Sequence, residues 1–149
     1  STSPKPARPR QAIRGQRHSL TLYFEALATR DGASLLHCLA GKDRTGLAAA
    51  LLHRLLGVHA DDVMADYLLT NTAGDPARRI ASAAASIRER YGPQMSDEAI
   101  VALMSVEADY LRTAFAAIDE QHGGVEAYAA EVLGVDAARR QAIAARLVA

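Results

Sequence analysis

The chain has 149 residues, half of them hydrophobic, with 17 lysines and arginines against 17 aspartates and glutamates. That length fits one domain able to bury a substantial core, and the charge balance argues against a general nucleic-acid or polyanion binder. A single cysteine excludes an internal disulfide, and the five histidines show neither His-x-His nor His-x3-His spacing, so no metal centre or other cofactor is expected.

Residues 1–18 contain Lys5, Arg8, Arg10, Arg14 and Arg17, interleaved with Pro4, Pro6 and Pro9 and without an acid, which reads as a basic linker or disordered segment. Leu20 to Thr29 is apolar enough for a helix, broken at Asp31-Gly32. Ser34 to His37 is predicted as a short strand that delivers Cys38 to a loop. From Thr45 to Leu56 the residues are apolar nearly all round, as in a helix at the centre of a domain, with Gly57 as its stop. Asp61 to Asn71 makes another helix. In Pro76 to Tyr91, Ile80, Ala84, Ile87 and Tyr91 form one stripe with arginines opposite, and Gly74-Asp75-Pro76 and Gly92-Pro93 mark the ends. Ser96 is expected to cap a short helix to Leu103. Ser105 is expected to start the next, with Leu111, Ala114, Phe115 and Ile118 on one face and Gly123-Gly124 at its end. Val125 to Leu133 and Ala137 to Val148 follow, the second capped by Asp136. An apolar run such as Leu47 to Leu52 falls far short of the ~20 residues of a spanning helix, and no secretory signal is evident. A cytoplasmic location is expected, or export without a classical signal.

The chemistry concentrates between His37 and Gly46, in His-Cys-Leu-Ala-Gly-Lys-Asp-Arg-Thr-Gly. An attacking thiolate must exist near neutral pH, whereas a free cysteine titrates near ~8.5. A helix opening near Thr45 would turn its unpaired N–H groups toward Cys38. Arg44 adds a permanent planar charge able to grip two phosphate oxygens. Backbone N–H groups of Leu39, Ala40, Gly41, Lys42, Asp43 and Arg44, allowed to turn inward by Gly41, would form a nest for the remaining oxygens. Without this chemistry, Cys38 would be an inert thiol at the end of a strand.

These residues resemble the signature loop of the bacterial atypical tyrosine and phosphoinositide phosphatases, within the cysteine-dependent (Cys-x5-Arg) superfamily. The resemblance implies an α/β, phosphatase-like fold, here predominantly helical with one strand feeding the loop. It implies Cys38 as the nucleophile of a phosphocysteine, Arg44 as phosphate clamp, Thr45 as the hydroxyl that steadies the thiolate, and His37 and Gly46 in support. Asp43 is the candidate general acid, against a structural role in which it pairs with Arg44 or bonds loop amides. Lys42 resembles a lysine that reads a second phosphate on an inositol ring, against a solvated loop lysine. The Asp-Tyr-Leu-Leu-Thr-Asn end of the helix finishing at Asn71 also resembles the family. Residues 76–103 resemble a pair of helices that relatives fold over the site as a lid, against an ordinary packed helix pair.

Family members carry Asn-Phe-Arg-Asp-x-Gly-Gly and Asp-Leu-Arg stretches ahead of the loop, and neither occurs here. Residues 19–149 therefore look like the C-terminal part of a phosphatase domain, and three explanations stay open. The chain is a fragment, a further segment or subunit completes the sheet, or the fold is reduced to helices around one strand. The expected substrate is a phosphorylated protein or a phosphoinositide. The competing reading is a non-catalytic phosphate-binding or interaction module that retains the loop.

Overall fold

A computed structural model describes residues 15–38 and 42–148. Among the described residues there are eight α-helices. They are α1 (Arg17–Thr29), α2 (Asp43–Leu55), α3 (Ala60–Leu68), α4 (Pro76–Tyr91), α5 (Asp97–Met104), α6 (Ala108–His122), α7 (Val125–Leu133) and α8 (Ala137–Leu147), with a 3₁₀ turn at Leu69–Asn71.

The expected α/β character is corrected: no strand occurs among the described residues. Ser34 to His37 lies outside any helix but joins no ladder, because a strand exists only through hydrogen bonds to a neighbour. Its side chains do not behave as an inner strand's would either. Leu35 is 88% exposed and only Leu36 leans on the core. With no sheet among these residues, the expected segment or subunit to complete one has no support. The expected basic linker falls mainly on residues 1–14, outside the described part. The first helix begins at Arg17, three residues earlier than Leu20.

Apolar spacing explains the assembly. Leu20, Phe24 and Leu27 recur at helical intervals on α1, and Leu47, Leu51 and Leu55 do so on α2; all six are buried. α2 packs on α3 and α7, α1 on α7 and α8, and α6 on α7 and α3, giving one layered bundle around a shared core. Fully burying each large aliphatic or aromatic side chain is worth about 1.5–3 kcal/mol, so the Phe24, Leu51, Ile118 and Leu133 contacts dominate. The caps expected at Ser96 and Asp136 form, and Asp75, expected only to mark a helix end, caps α4 in the same way. Each side chain accepts the N–H three residues on, at 3.1, 2.8 and 3.0 Å respectively. Ser105 behaves differently from expectation: its hydroxyl donates back to the Val101 carbonyl at 2.6 Å, so it closes α5, and α6 begins after Glu107.

α4 and α5, joined by a short connection, pack against each other as a hairpin. α4 has no buried residue, and Ile100 of α5, though buried, does not join the main core cluster. Polar bonds secure the hairpin's two roots: Arg79 donates from Nη2 to the Thr70 carbonyl at 2.7 Å, and Asn71 holds Val106.

Candidate active site

α2 begins two residues earlier than Thr45, so Asp43, Arg44 and Thr45 all stand in its first turn. An aspartate there is favoured by the partial positive charge of the helix start, which explains the earlier onset. The Gly46 N–H reaches the Lys42 carbonyl at 2.7 Å and locks this turn. Cys38 is half-buried at the end of the non-helical segment and His37 is exposed. Leu39, Ala40 and Gly41, expected to supply amides to the phosphate, lie outside the described residues.

Arg44 is exposed and has no hydrogen-bond or ion-pair partner among the described residues. The expected alternative of an Asp43–Arg44 pair is not what forms. Asp43 pairs instead with Lys42, Nζ to Oδ1 at 3.2 Å. Nor is Lys42 a solvated loop lysine. It is 8% exposed, and its ammonium also donates to the Ser105 carbonyl at 3.0 Å. Thr45 Oγ1 is buried with no hydrogen-bond partner among the described residues. A buried hydroxyl left without a partner is costly, by about 1–3 kcal/mol, and marks a place where a missing acceptor would fit.

Behind this turn stands Tyr67, which the sequence reading did not single out. Its ring packs so closely on Gly46 that a Cβ there would lie 2.9 Å from ring atom Cε2. Burial, reinforced by the negative charges of Asp43 and Glu107 and by Tyr110, pushes the Tyr67 phenol up to about 12. Burial, Glu107 and Asp43 likewise raise Tyr110. Asp43, Glu107, Tyr67 and Tyr110 thus share one electrostatic neighbourhood beside the helix start. Tyr67 and Asn71 both fall in the Asp-Tyr-Leu-Leu-Thr-Asn stretch, the one sequence signal that pointed to them. Among the described residues no three His, Cys, Asp or Glu side chains gather as a metal site.

The tyrosine phosphatase family pattern matches residues 7–149, and so spans both Cys38 and the helical body behind it. The chain belongs to the tyrosine phosphatase family. It is 36% identical over 134 residues to a Cupriavidus necator protein whose name assigns it provisionally to the tyrosine-protein phosphatases, covering 90% of this chain and 44% of that one. It is 33% identical over 102 residues to the triple specificity protein phosphatase PtpB of Mycobacterium tuberculosis, covering 63% of this chain and 36% of PtpB. A tyrosine-protein phosphatase of Nostoc commune is 49% identical over 43 residues, 29% of this chain and 15% of that one. The chain therefore spans less than half the length of each of these family members. No helix among the described residues is long and apolar enough to cross a membrane.

Proposed function

We propose that this chain supplies the catalytic loop of a phosphatase that hydrolyses phosphate monoesters through a phosphocysteine. The observation that carries the reading is the first turn of α2: Arg44 is exposed and, among the described residues, unpaired, beside a buried Thr45 hydroxyl with no partner among those residues, at the positive end of the helix. An exposed guanidinium held at a helix start is suited to bidentate capture of a phosphate dianion. The Cys38 thiolate attacks phosphorus while the ester P–O bond breaks, and Asp43 gives its proton to the departing oxygen. Water then attacks the phosphocysteine, Asp43 takes up a proton from that water, and phosphate and thiolate are released. Thr45 Oγ1–H donates to the sulfur anion as it departs. His37 and Gly46 support the loop, and the backbone of residues 39–44 cradles the equatorial oxygens.

Phosphotyrosine is the first substrate to try, on family grounds. The similarity to PtpB, a triple specificity protein phosphatase, supports testing phosphoserine and phosphothreonine peptides beside it, and the loop resemblance supports phosphoinositides. The α4–α5 hairpin is the candidate cover for the site. A cover of this kind would slow peroxide inactivation of Cys38, so deleting the hairpin and finding an equal rate in a folded protein counts against it.

The deciding experiment compares wild type with Cys38→Ser on a small aryl phosphate. Turnover by the wild type alone, with phosphate binding kept by the variant, supports the enzyme. The competing reading is a non-catalytic phosphate-binding module that retains the loop. Phosphate binding by a folded wild type with no measurable turnover would establish it instead.

A further inference from the structure

The Asp-Tyr-Leu-Leu-Thr-Asn stretch ends in a residue that the catalytic scheme leaves unused. Asn71 embraces the backbone of Val106 with both ends of its amide: Oδ1 accepts the Val106 N–H at 2.9 Å, and Nδ2 donates to the Val106 carbonyl at 2.8 Å. One residue earlier, the Ser105 carbonyl accepts from the Lys42 ammonium at 3.0 Å. That same ammonium lies 3.2 Å from Asp43 Oδ1. These contacts join three segments far apart in sequence: the 3₁₀ turn that follows α3, the α5–α6 junction, and the signature loop where it enters α2.

A carboxylate with 57% of its side chain exposed, like that of Asp43, has several staggered positions open to it. A buried cation fixed from the far side selects among them. The fixing is itself local and specific. A lysine ammonium has three donors and no acceptor, so it takes a defined place only where acceptors are held still, and the Ser105 carbonyl is held by its neighbour's grip on Asn71. The amide side chain carries a donor and an acceptor side by side and so holds both backbone groups of Val106. Aspartate lacks the donor, and leucine lacks both.

We propose that Asn71 and Lys42 are positioning residues for Asp43, acting in series through the Ser105–Val106 backbone. Asn71 holds the segment, the segment's carbonyl holds the ammonium, and the ammonium sets the rotamer from which the Asp43 carboxyl meets the leaving oxygen. This rests on Asp43 being the acid. It also gives Lys42 work distinct from reading a substrate phosphate, since its side chain is almost wholly buried and already serves two acceptors.

The test uses Asn71→Leu, Asn71→Asp and Lys42→Met, each alone and combined with Asp43→Asn, on aryl phosphates with good and poor leaving groups. A misplaced acid hurts the poor leaving group selectively. The ratio of kcat for poor to good leaving groups should fall on the order of ten-fold or more in each single variant, with KM little changed, and should fall no further when Asp43→Asn is already present. Equal losses on both substrates, or losses that add to those of Asp43→Asn, would overturn the proposal. A Lys42→Met effect confined to KM would do so too, returning Lys42 to substrate binding. A readout independent of turnover is the Lys42 ammonium signal in NMR, which is visible while hydrogen bonding slows its proton exchange. It should broaden away in Asn71→Leu or, if that variant does not fold, in Asn71→Asp. An unaltered signal breaks the series even if the enzyme is active. Conversely, a wild type that turns over no aryl phosphate defeats the phosphatase reading and with it the catalytic role assigned to the series, whereas the ammonium signal still reports whether the physical linkage exists.

Discussion

Replacing Gly46 by alanine sets two opposed effects against each other, and the structure decides between them. In a helix interior alanine is favoured over glycine by about 0.8–1 kcal/mol. Here, however, the new Cβ would stand 2.9 Å from Tyr67 Cε2 and 3.1 Å from Cδ2, well inside the ~3.5–4.0 Å at which carbon atoms attract. The Tyr67 ring is 7% exposed and packed in the core, so it cannot swing aside as a surface side chain would. Overpacking of this kind costs about 1–3 kcal/mol. The balance is a net loss of roughly 1 kcal/mol, or a fall of about 2–4 °C in Tm for a chain of this size. Urea unfolding followed by circular dichroism measures it. The decisive comparison is the same substitution in a Tyr67→Leu background, where the ring is gone and Gly46→Ala should stabilise by about 1 kcal/mol. A stabilising effect in the wild type, or the same sign in both backgrounds, would refute the argument that Tyr67 is what requires glycine here.

Thr45→Val keeps the shape of the side chain and removes a buried hydroxyl that has no partner among the described residues, so stability should be unchanged or raised while phosphatase turnover falls; a clear loss of stability would show that the hydroxyl is satisfied in the folded protein. The Tyr67 phenol titrates higher in the folded chain than its ordinary value of 10.0, so the folded state holds its proton more tightly than the unfolded one. Its contribution to stability is complete below pH 10 and is lost as pH rises toward about 12; melting curves above pH 9 should fall less steeply in Tyr67→Phe, and parallel slopes would contradict this. Asp136→Ala removes the cap of α8, an oxygen 2.8 Å from the Arg139 N–H, and should cost about 1 kcal/mol of unfolding free energy, with no change in the denaturant midpoint as the adverse result.

Helix ends were legible where local chemistry fixes them. Asp75-Pro76 and Gly92-Pro93 bracket α4 at the foreseen residues, because a capping carboxylate, a proline in the first turn and a glycine at the end act within a few residues. The start of α2 was misplaced by two residues, since the attraction of Asp43 for the helix dipole outweighs the loop character of the motif. The Ser34–His37 strand was legible only as an apolar run, and such a run does not reveal whether a neighbouring strand is present to pair with it. At the site, the motif located Arg44 and Thr45 in one turn. It could not show that Lys42 turns inward to Ser105, 63 residues away, or that Asn71 grips Val106, 35 residues away, because such contacts are set by how helices pack. The stripe on α4 was read correctly as amphipathic. Periodicity names the apolar face but not its depth of burial, and the structure leaves every residue of that helix at least partly exposed.

That shallow seating has a thermodynamic consequence. Segments with few buried apolar contacts open at free energies below that of global unfolding. Residues 76–104 have this character: they bury Ile100 apart from the main cluster and are anchored at their ends by hydrogen bonds. The hairpin should therefore melt as its own cooperative unit, exchanging its amides and admitting a protease near Gly92 while α1, α2 and α7 stay folded. Because Ser105 and Val106 lie at one hinge of that unit, its opening would reach the signature loop through Lys42, so the stability of a peripheral helix pair and the order of the first turn of α2 would be set together.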